Sequence, residues 1–154
     1  SVIPNSHIKY VNKNPTIEGS DKEISISHSG GKVLIQIKPK DELVGVDIQY
    51  ISEKTIRIKE KFLHFSELEI INEHEKDELI LSNIFWSAKE SVYKAFSSIS
   101  KSEEVIEFKS QIIFESIDFD ANIINGVFIE EGEIKKIIVG FLEENDFVVT
   151  WFEN

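Results

Sequence analysis

Apolar residues recur along this chain with two periods, and the changes between them lay out the expected elements. Over 24–29 they alternate with polar residues, the two-residue period of a strand; 32–37, rich in Val and Ile, reads as a second strand, and Gly30-Gly31 between the runs is a hairpin signal. Residues 43–49 alternate again, with Val44, Val46 and Ile48 on one face and Gly45, Asp47 and Gln49 on the other. The period then lengthens. Residues 52–62 read as a helix, 66–71 as a short helix with Ser66 as N-cap and Glu69 three residues on, and 77–96 as a long helix. In the long helix Leu81, Phe85, Ala88, Val92, Ala95 and Ile99 recur at steps of three and four, which defines a buried stripe. From 105 onward the chain reads as strand, over 105–116, 121–130, 134–142 and 147–152, separated by acidic turns. Residues 1–20, polar and carrying Pro4 and Pro15, read as extended or loop. Strands, then helices, then a meander predict an α+β fold, an antiparallel sheet packed on one long helix.

Two polar positions sit awkwardly in this pattern. Glu90 lies about 160° around the helix from both Ala88 and Val92, so it points away from the buried stripe. Trp86, Glu90 and Lys94, four apart, form a stripe of their own. One reading makes them the wall of a cleft; the other makes Glu90 and Lys94 an exposed i,i+4 pair worth a few tenths of a kcal/mol. Asp47 stands in mid-strand, which propensity disfavours, and Gly45 two residues earlier is expected to leave open space beside it.

Taken in order, the blocks Ser25-Ile26-Ser27-His28-Ser29, Gly45-Val46-Asp47-Ile48-Gln49 and Phe85-Trp86-Ser87-Ala88-Lys89-Glu90-Ser91-Val92-Tyr93-Lys94 resemble the 4'-phosphopantetheinyl transferase superfamily. The resemblance is closest to its surfactin-synthetase-type branch, with Lys13-Asn14-Pro15 standing where relatives carry Gly-Lys-Pro. It implies Mg²⁺-dependent transfer of the phosphopantetheine arm of coenzyme A to a serine of an acyl or peptidyl carrier protein, leaving adenosine 3',5'-bisphosphate. Asp47 and Glu90 match the metal-binding acids, and Gln49 stands where the branch usually has a third. Glu90 and Lys94 match the catalytic pair, with Glu90 also the candidate base. Ser27, His28 and Lys94 match coenzyme A phosphate contacts; Lys89 and Lys13 are further candidates. Asn14 replaces the family's phosphate-binding lysine, and Ser97 a glycine after the helix.

Under this resemblance the polar break at 38–42 divides two pieces. Residues 1–42 are the remainder of an N-terminal half carrying the Ser-His-Ser block, and 43–154 are a C-terminal half with the metal and coenzyme A site. The other arrangement is a compact member akin to the smaller, trimeric holo-carrier-protein synthases. Gln49 also keeps open a catalytically impaired domain that binds coenzyme A or a carrier protein.

Composition narrows the classes. With 154 residues, 41% hydrophobic and 29% charged, the chain has enough apolar content for a core of its own. The lack of cysteine excludes disulfides, thiol catalysis and thiolate metal sites. No apolar run approaches the roughly 20 residues of a membrane span and no signal peptide is evident, so cytoplasmic localisation without a membrane partner is expected. A net charge of −11 argues against nucleic acid, whose phosphates need Lys and Arg. It also opposes an acidic carrier protein at long range, so docking is expected at the basic cluster around Lys54, Arg57 and Lys61. His64 and His74-Glu75 lack zinc spacing and read as surface.

Overall fold

The computed structural model describes residues 7–11, 14–97 and 105–153. Two hairpins come first: β1 (Ile8–Val11) with β2 (Asn14–Ile17), then β3 (Lys22–Ser29) with β4 (Lys32–Pro39). The first falls in a stretch expected to be extended or loop. In the second, Gly30 and Gly31 both adopt positive φ, as the tight turn requires.

Next comes β5 (Val46–Tyr50), then three helices, α1 (Lys54–Phe62), α2 (Phe65–Glu73) and α3 (Glu78–Ser97). A four-residue turn of helix, α4 (Phe108–Gln111), precedes β6 (Ile112–Asp118), β7 (Ile123–Glu130), β8 (Glu133–Glu144) and β9 (Phe147–Phe152). The strand expected to start at 105 thus starts at Ile112 and runs on to Asp118. Helix α2 also starts earlier than expected. His64, not Ser66, is its N-cap: the imidazole accepts the Ser66 N–H, and the Glu67 carboxylate accepts the His64 N–H at 2.6 Å. The capping box therefore runs from His64 to Glu67 rather than from Ser66 to Glu69.

The five strands β5 to β9 form one antiparallel sheet in the order β5-β9-β8-β7-β6, and α3 packs on β5, β9 and β8. Leu81, Phe85, Ala88, Val92 and Ala95 are all fully buried, as the stripe predicts; Ile99 lies outside the described residues. Phe96 stacks on Phe128 at 4.0 Å between centroids and meets Phe152 edge-on, closing the core at the end of the helix. The α+β architecture expected from the sequence is the one observed. Among the described residues no helix is long and apolar enough to cross a membrane.

Strand β5 is an edge of this sheet, and its outer N–H groups are met by side chains rather than by another backbone. Ser25, Ser27 and Ser29 on β3 accept from the N–H groups of Val46, Ile48 and Tyr50 at 3.1, 3.3 and 3.0 Å. Both strands repeat every two residues, so three serines at alternate positions match three N–H groups at alternate positions. The exposed edge is thereby satisfied, and the β3–β4 hairpin is fastened to the strand that carries Asp47.

Candidate active site

Asp47 and Glu90 come together from different elements because β5 passes unusually close to α3. Gly45 makes that approach possible. A Cβ at Gly45 would lie 2.0 Å from the Ser91 carbonyl oxygen and 2.8 Å from the Ala95 nitrogen. The open space expected beside Gly45 is therefore filled by the helix backbone, and glycine serves close packing.

Asp47 is buried, at 6% exposure, and its carboxylate accepts three hydrogen bonds. Ser27 Oγ and Lys94 Nζ donate to Oδ1 at 2.7 and 2.8 Å, and Ser87 Oγ donates to Oδ2 at 2.8 Å. Lys94 also donates to the Val46 carbonyl at 3.0 Å. Its ammonium is thus held against β5, and Lys94 and Asp47 form an ion pair.

Glu90 stands one turn before Lys94, within range of the Asp47 charge. Burial raises its carboxyl pKa above the ordinary 4.5, the Asp47 charge raises it further, and Lys94 opposes both. The folded protein therefore binds this proton more tightly than the unfolded chain. The associated stability is complete below the unfolded pKa and is lost as pH rises through the folded one. Glu90→Gln removes that loss. In metal-free buffer the variant should match the wild type near about pH 4 and become the more stable of the two toward about pH 8. Thermal melts across that range check it, and a gap that narrows with rising pH would contradict the assignment.

On its other side Glu90 joins a mostly apolar concavity of about 580 Å³, lined by Ile58, Phe62, Trp86, Tyr93 and Phe108 among others, with Lys61 at its wall. Trp86 meets Phe62 edge-on at 5.0 Å and Phe108 at 5.7 Å, so the aromatic wall is packed. Of the Trp86, Glu90 and Lys94 stripe, Trp86 and Glu90 line this concavity, while Lys94 turns to Asp47. A larger concavity of about 730 Å³, lined by His74, Asp118, Phe119 and Asn125 among others, does not include Asp47 or Glu90.

The remaining candidates are placed as follows. Gln49 shares the Asp47 face of β5, is partly buried, and its Nε2 donates to the Tyr50 carbonyl at 2.8 Å. His28 is exposed on β3, on the opposite face from Ser27. Lys13 lies outside the described residues. Its neighbour Asn14 donates to the Ser97 carbonyl at 3.5 Å, which ties β2 to the end of α3.

Lys89 is not brought to the cluster. It is fully buried, and its ammonium reaches the Glu67 carboxylate at 2.8 Å, the Phe108 carbonyl at 2.8 Å and the Ile112 carbonyl. The Glu67 carboxylate also accepts the Phe114 N–H at 2.8 Å. Burial pushes the Glu67 carboxyl up and the Lys89 ammonium down, and each partner's charge counteracts the other's shift. Helices α2 and α3 and the start of β6 are thus tied together inside the core. Lys89→Met leaves a buried carboxylate without its cation and should cost about 3–5 kcal/mol. Adding Glu67→Gln, which keeps an acceptor oxygen, should recover much of that loss. Urea denaturation of the three proteins measures both, and a Lys89→Met variant of unchanged stability would contradict the tie.

Sequence reasoning missed Ser87, Ser91 and Thr150, which stand directly behind Asp47. Ser87 and Ser91, four apart on α3, were a visible pair of small hydroxyls on one face. Thr150 is the cross-strand partner of Asp47, a relation set by register and invisible locally.

Among the described residues no three His, Cys, Asp or Glu side chains form a metal-binding group. What the site offers a cation is two carboxylates. Asp47 Oδ1 already accepts from two donors and Oδ2 from one, which leaves one lone pair on Oδ2. That donor set fits Mg²⁺, which binds through one or two carboxylates and completes its shell with water and phosphate oxygens.

Comparison with known proteins adds the following. A family model described as the 4'-phosphopantetheinyl transferase superfamily matches residues 43–150. No curated protein sequence matches the chain. Among solved structures, the apo-ACPS structure of Chronobacterium ammoiniagenes is 18% identical, covers 71% of this chain and 92% of its own, and superposes with a TM-score of 0.54. The holo-[acyl-carrier-protein] synthase of Thermotoga maritima is 14% identical, covers 71% of this chain and 61% of its own, with a TM-score of 0.46. The first likeness supports the α+β fold.

Proposed function

From the premise that this chain belongs to the 4'-phosphopantetheinyl transferase superfamily, we propose that it moves the phosphopantetheine arm of coenzyme A to a serine of an acyl or peptidyl carrier protein. The observation that carries this reading is the meeting of Asp47 and Glu90 beside Lys94, with Glu90 also lining an apolar concavity. The carrier serine oxygen attacks the phosphorus joined to the pantetheine arm. A new P–O bond forms there, and the pyrophosphate bond breaks to release adenosine 3',5'-bisphosphate. The hydroxyl proton passes to Glu90, whose burial beside the Asp47 charge raises its affinity for a proton. Asp47 and Glu90 would hold Mg²⁺, which when bound screens the charge on the phosphates. Lys94 adds a fixed positive charge next to both acids, and Ser27 holds Asp47 from the opposite strand.

Four finer readings accompany this one. Membership of the surfactin-synthetase-type branch rests on the three ordered sequence blocks, and residues 1–42 are read as the remainder of an N-terminal half. His28 and Lys13 are read as phosphate contacts. Lys54, Arg57 and Lys61 are exposed on α1, with Lys61 at the concavity wall, and are read as a docking patch for an acidic carrier protein.

A binding domain without catalysis is the second reading, favoured by Gln49, whose amide is directed to the Tyr50 carbonyl and carries no charge. Incubation with coenzyme A and an apo-carrier protein, read by the mass gain of the carrier, separates the two. Gln49→Glu sharpens the test. A third carboxylate on the Asp47 face should bring half-maximal transfer to a severalfold lower Mg²⁺ concentration, with the gain vanishing at saturation. Superimposable Mg²⁺ titrations would remove Gln49 from the site.

A further inference from the structure

Behind Asp47 lies a run of buried hydroxyls whose hydrogens can be assigned by counting. Ser87, Ser91 and Thr150 have no exposed surface. Ser87 Oγ lies 2.8 Å from Asp47 Oδ2 and 3.0 Å from Thr150 Oγ1, and Thr150 Oγ1 lies 2.6 Å from Ser91 Oγ. A carboxylate only accepts, so the single Ser87 hydrogen goes to Asp47. Thr150 must then donate to Ser87, which uses its own hydrogen. Ser91 must donate to Thr150, sharing that hydrogen with the Thr150 carbonyl at 3.1 Å. Only one order satisfies every contact: Ser91 to Thr150 to Ser87 to Asp47. Each link polarises the next toward the carboxylate.

The same counting applies on the other side. Ile48 N–H donates to Ser27 Oγ, and Ser27 donates to Asp47 Oδ1. Asp47 is thus gripped by two directed chains, one from α3 and β9 and one from β5 through β3, while Lys94 completes Oδ1. The lone pair left on Oδ2 has its direction set by the Ser87 bond.

We infer that Ser87 and Thr150 are positioning residues of the transfer site: their ordered hydroxyls fix the Asp47 carboxylate so that its remaining lone pair is presented for a cation shared with Glu90. This rests on the function proposed above. It deepens that function by assigning it residues that touch neither substrate nor metal.

Helix α3 supplies its own control. Ser82, equally buried, has among the described residues the only buried side-chain oxygen or nitrogen without a hydrogen-bond partner. Ser82→Ala and Ser87→Ala are the same chemical change on the same helix. Ser87→Ala should raise the Mg²⁺ concentration for half-maximal transfer about tenfold, the lower end of what supporting hydrogen bonds contribute to metal sites. The rate at saturating Mg²⁺ should change far less. Ser82→Ala should leave both unchanged. Thr150→Val should shift the Mg²⁺ requirement in the same direction by less, Thr150→Ser should restore it, and Ser87→Ala with Thr150→Val should be no worse than Ser87→Ala alone.

Calorimetric titration of Mg²⁺ into the protein with coenzyme A gives the readout that does not depend on turnover. The Mg²⁺ dissociation constant should follow the same order among the variants. Equal Mg²⁺ affinity in all of them would overturn the inference whatever the transfer rate. So would tighter binding by Ser87→Ala, because the hydroxyl would then merely compete with the cation for Oδ2. Additive effects in the double variant would break the chain between Thr150 and Ser87. A wild type that transfers nothing, yet binds Mg²⁺ about tenfold more tightly than Ser87→Ala, would overturn the proposed reaction and uphold the positioning.

Discussion

Asp47→Asn should reduce carrier-protein modification by about a hundredfold or more, because a preorganised charge at the reacting phosphate is lost. The substitution keeps the size of the side chain and changes its donor pattern. All three groups that reach Asp47, the Ser27 and Ser87 hydroxyls and the Lys94 ammonium, arrive as donors. An asparagine presents one oxygen and one NH₂: turned toward Lys94 the NH₂ faces an ammonium, and turned toward Ser87 it is accepted only if the Ser87, Thr150 and Ser91 hydroxyls reverse their order, while Lys94 loses its counter-charge in either case. Loss of stability on the order of 1–3 kcal/mol should accompany the loss of activity. Glu90→Gln should lose activity to a similar degree while gaining stability at neutral pH, since its carboxylate is held against burial and against the Asp47 charge. The two acids therefore separate: both changes stop transfer, and only one weakens the fold. Mass spectrometry of the carrier protein alongside denaturant titration checks the pair. Transfer by either variant at close to the wild-type rate would remove that acid from the site.

Gly45→Ala is the second large effect, and it acts through distance. Its added carbon would sit 2.0 Å from the Ser91 carbonyl oxygen, 2.8 Å from the Ala95 nitrogen and 2.9 Å from the Ala95 Cβ. All three belong to the rigid body of α3, two of them to its backbone, so no side-chain rotation relieves the overlap. Either β5 or α3 must withdraw, against the buried contacts of Val92, Ala95 and Phe96. A cost of about 4 kcal/mol or more is expected, beyond the usual range for one added methyl. What folds at all should show weakened Mg²⁺-dependent transfer, because the Ser87–Asp47 bond spans the same gap. A variant with native stability and activity would mean that strand and helix do not pass this closely. Gly132, where an added Cβ would meet nothing within 4 Å, is the comparison: it has space but a φ of +81°, so alanine there carries only backbone strain.

Asp47 and Glu90 stood out because each broke a local rule, an acid in mid-strand and an acid turned away from a buried stripe. The block order then put them in one family, and the structure places them on adjacent elements. Lys89 followed the same family pattern, yet it turns inward to Glu67. The about 100° between consecutive helix positions that separates it from Glu90 was visible beforehand. That a buried glutamate waited on α2 was not, because Glu67 looked like an ordinary polar residue near a helix start. Ser25, Ser27 and Ser29 are a similar case. The family pattern assigned Ser27 a phosphate contact; the fold adds that all three serines hold the edge of β5 and that Ser27 also holds Asp47.

Periodicity alone was enough to define the β3–β4 hairpin with its Gly30-Gly31 turn, the buried stripe of α3 and the closing meander. Each of these depends on residues within a few positions of one another, where φ/ψ preference and the burial of one face act directly. Register, close approach and pairing in the core were decided only by the tertiary structure. Thr150 faces Asp47 because β5 and β9 pair in one register, and a slip of β9 by a single residue would have turned Thr150 to the other face. Gly45 meets Ser91, and Lys89 meets Glu67, because whole faces are buried together, a condition no short window of sequence records. The two candidate acids were thus legible one at a time, while the hydroxyls and the glycine packed around Asp47 come together only once strand and helix are packed.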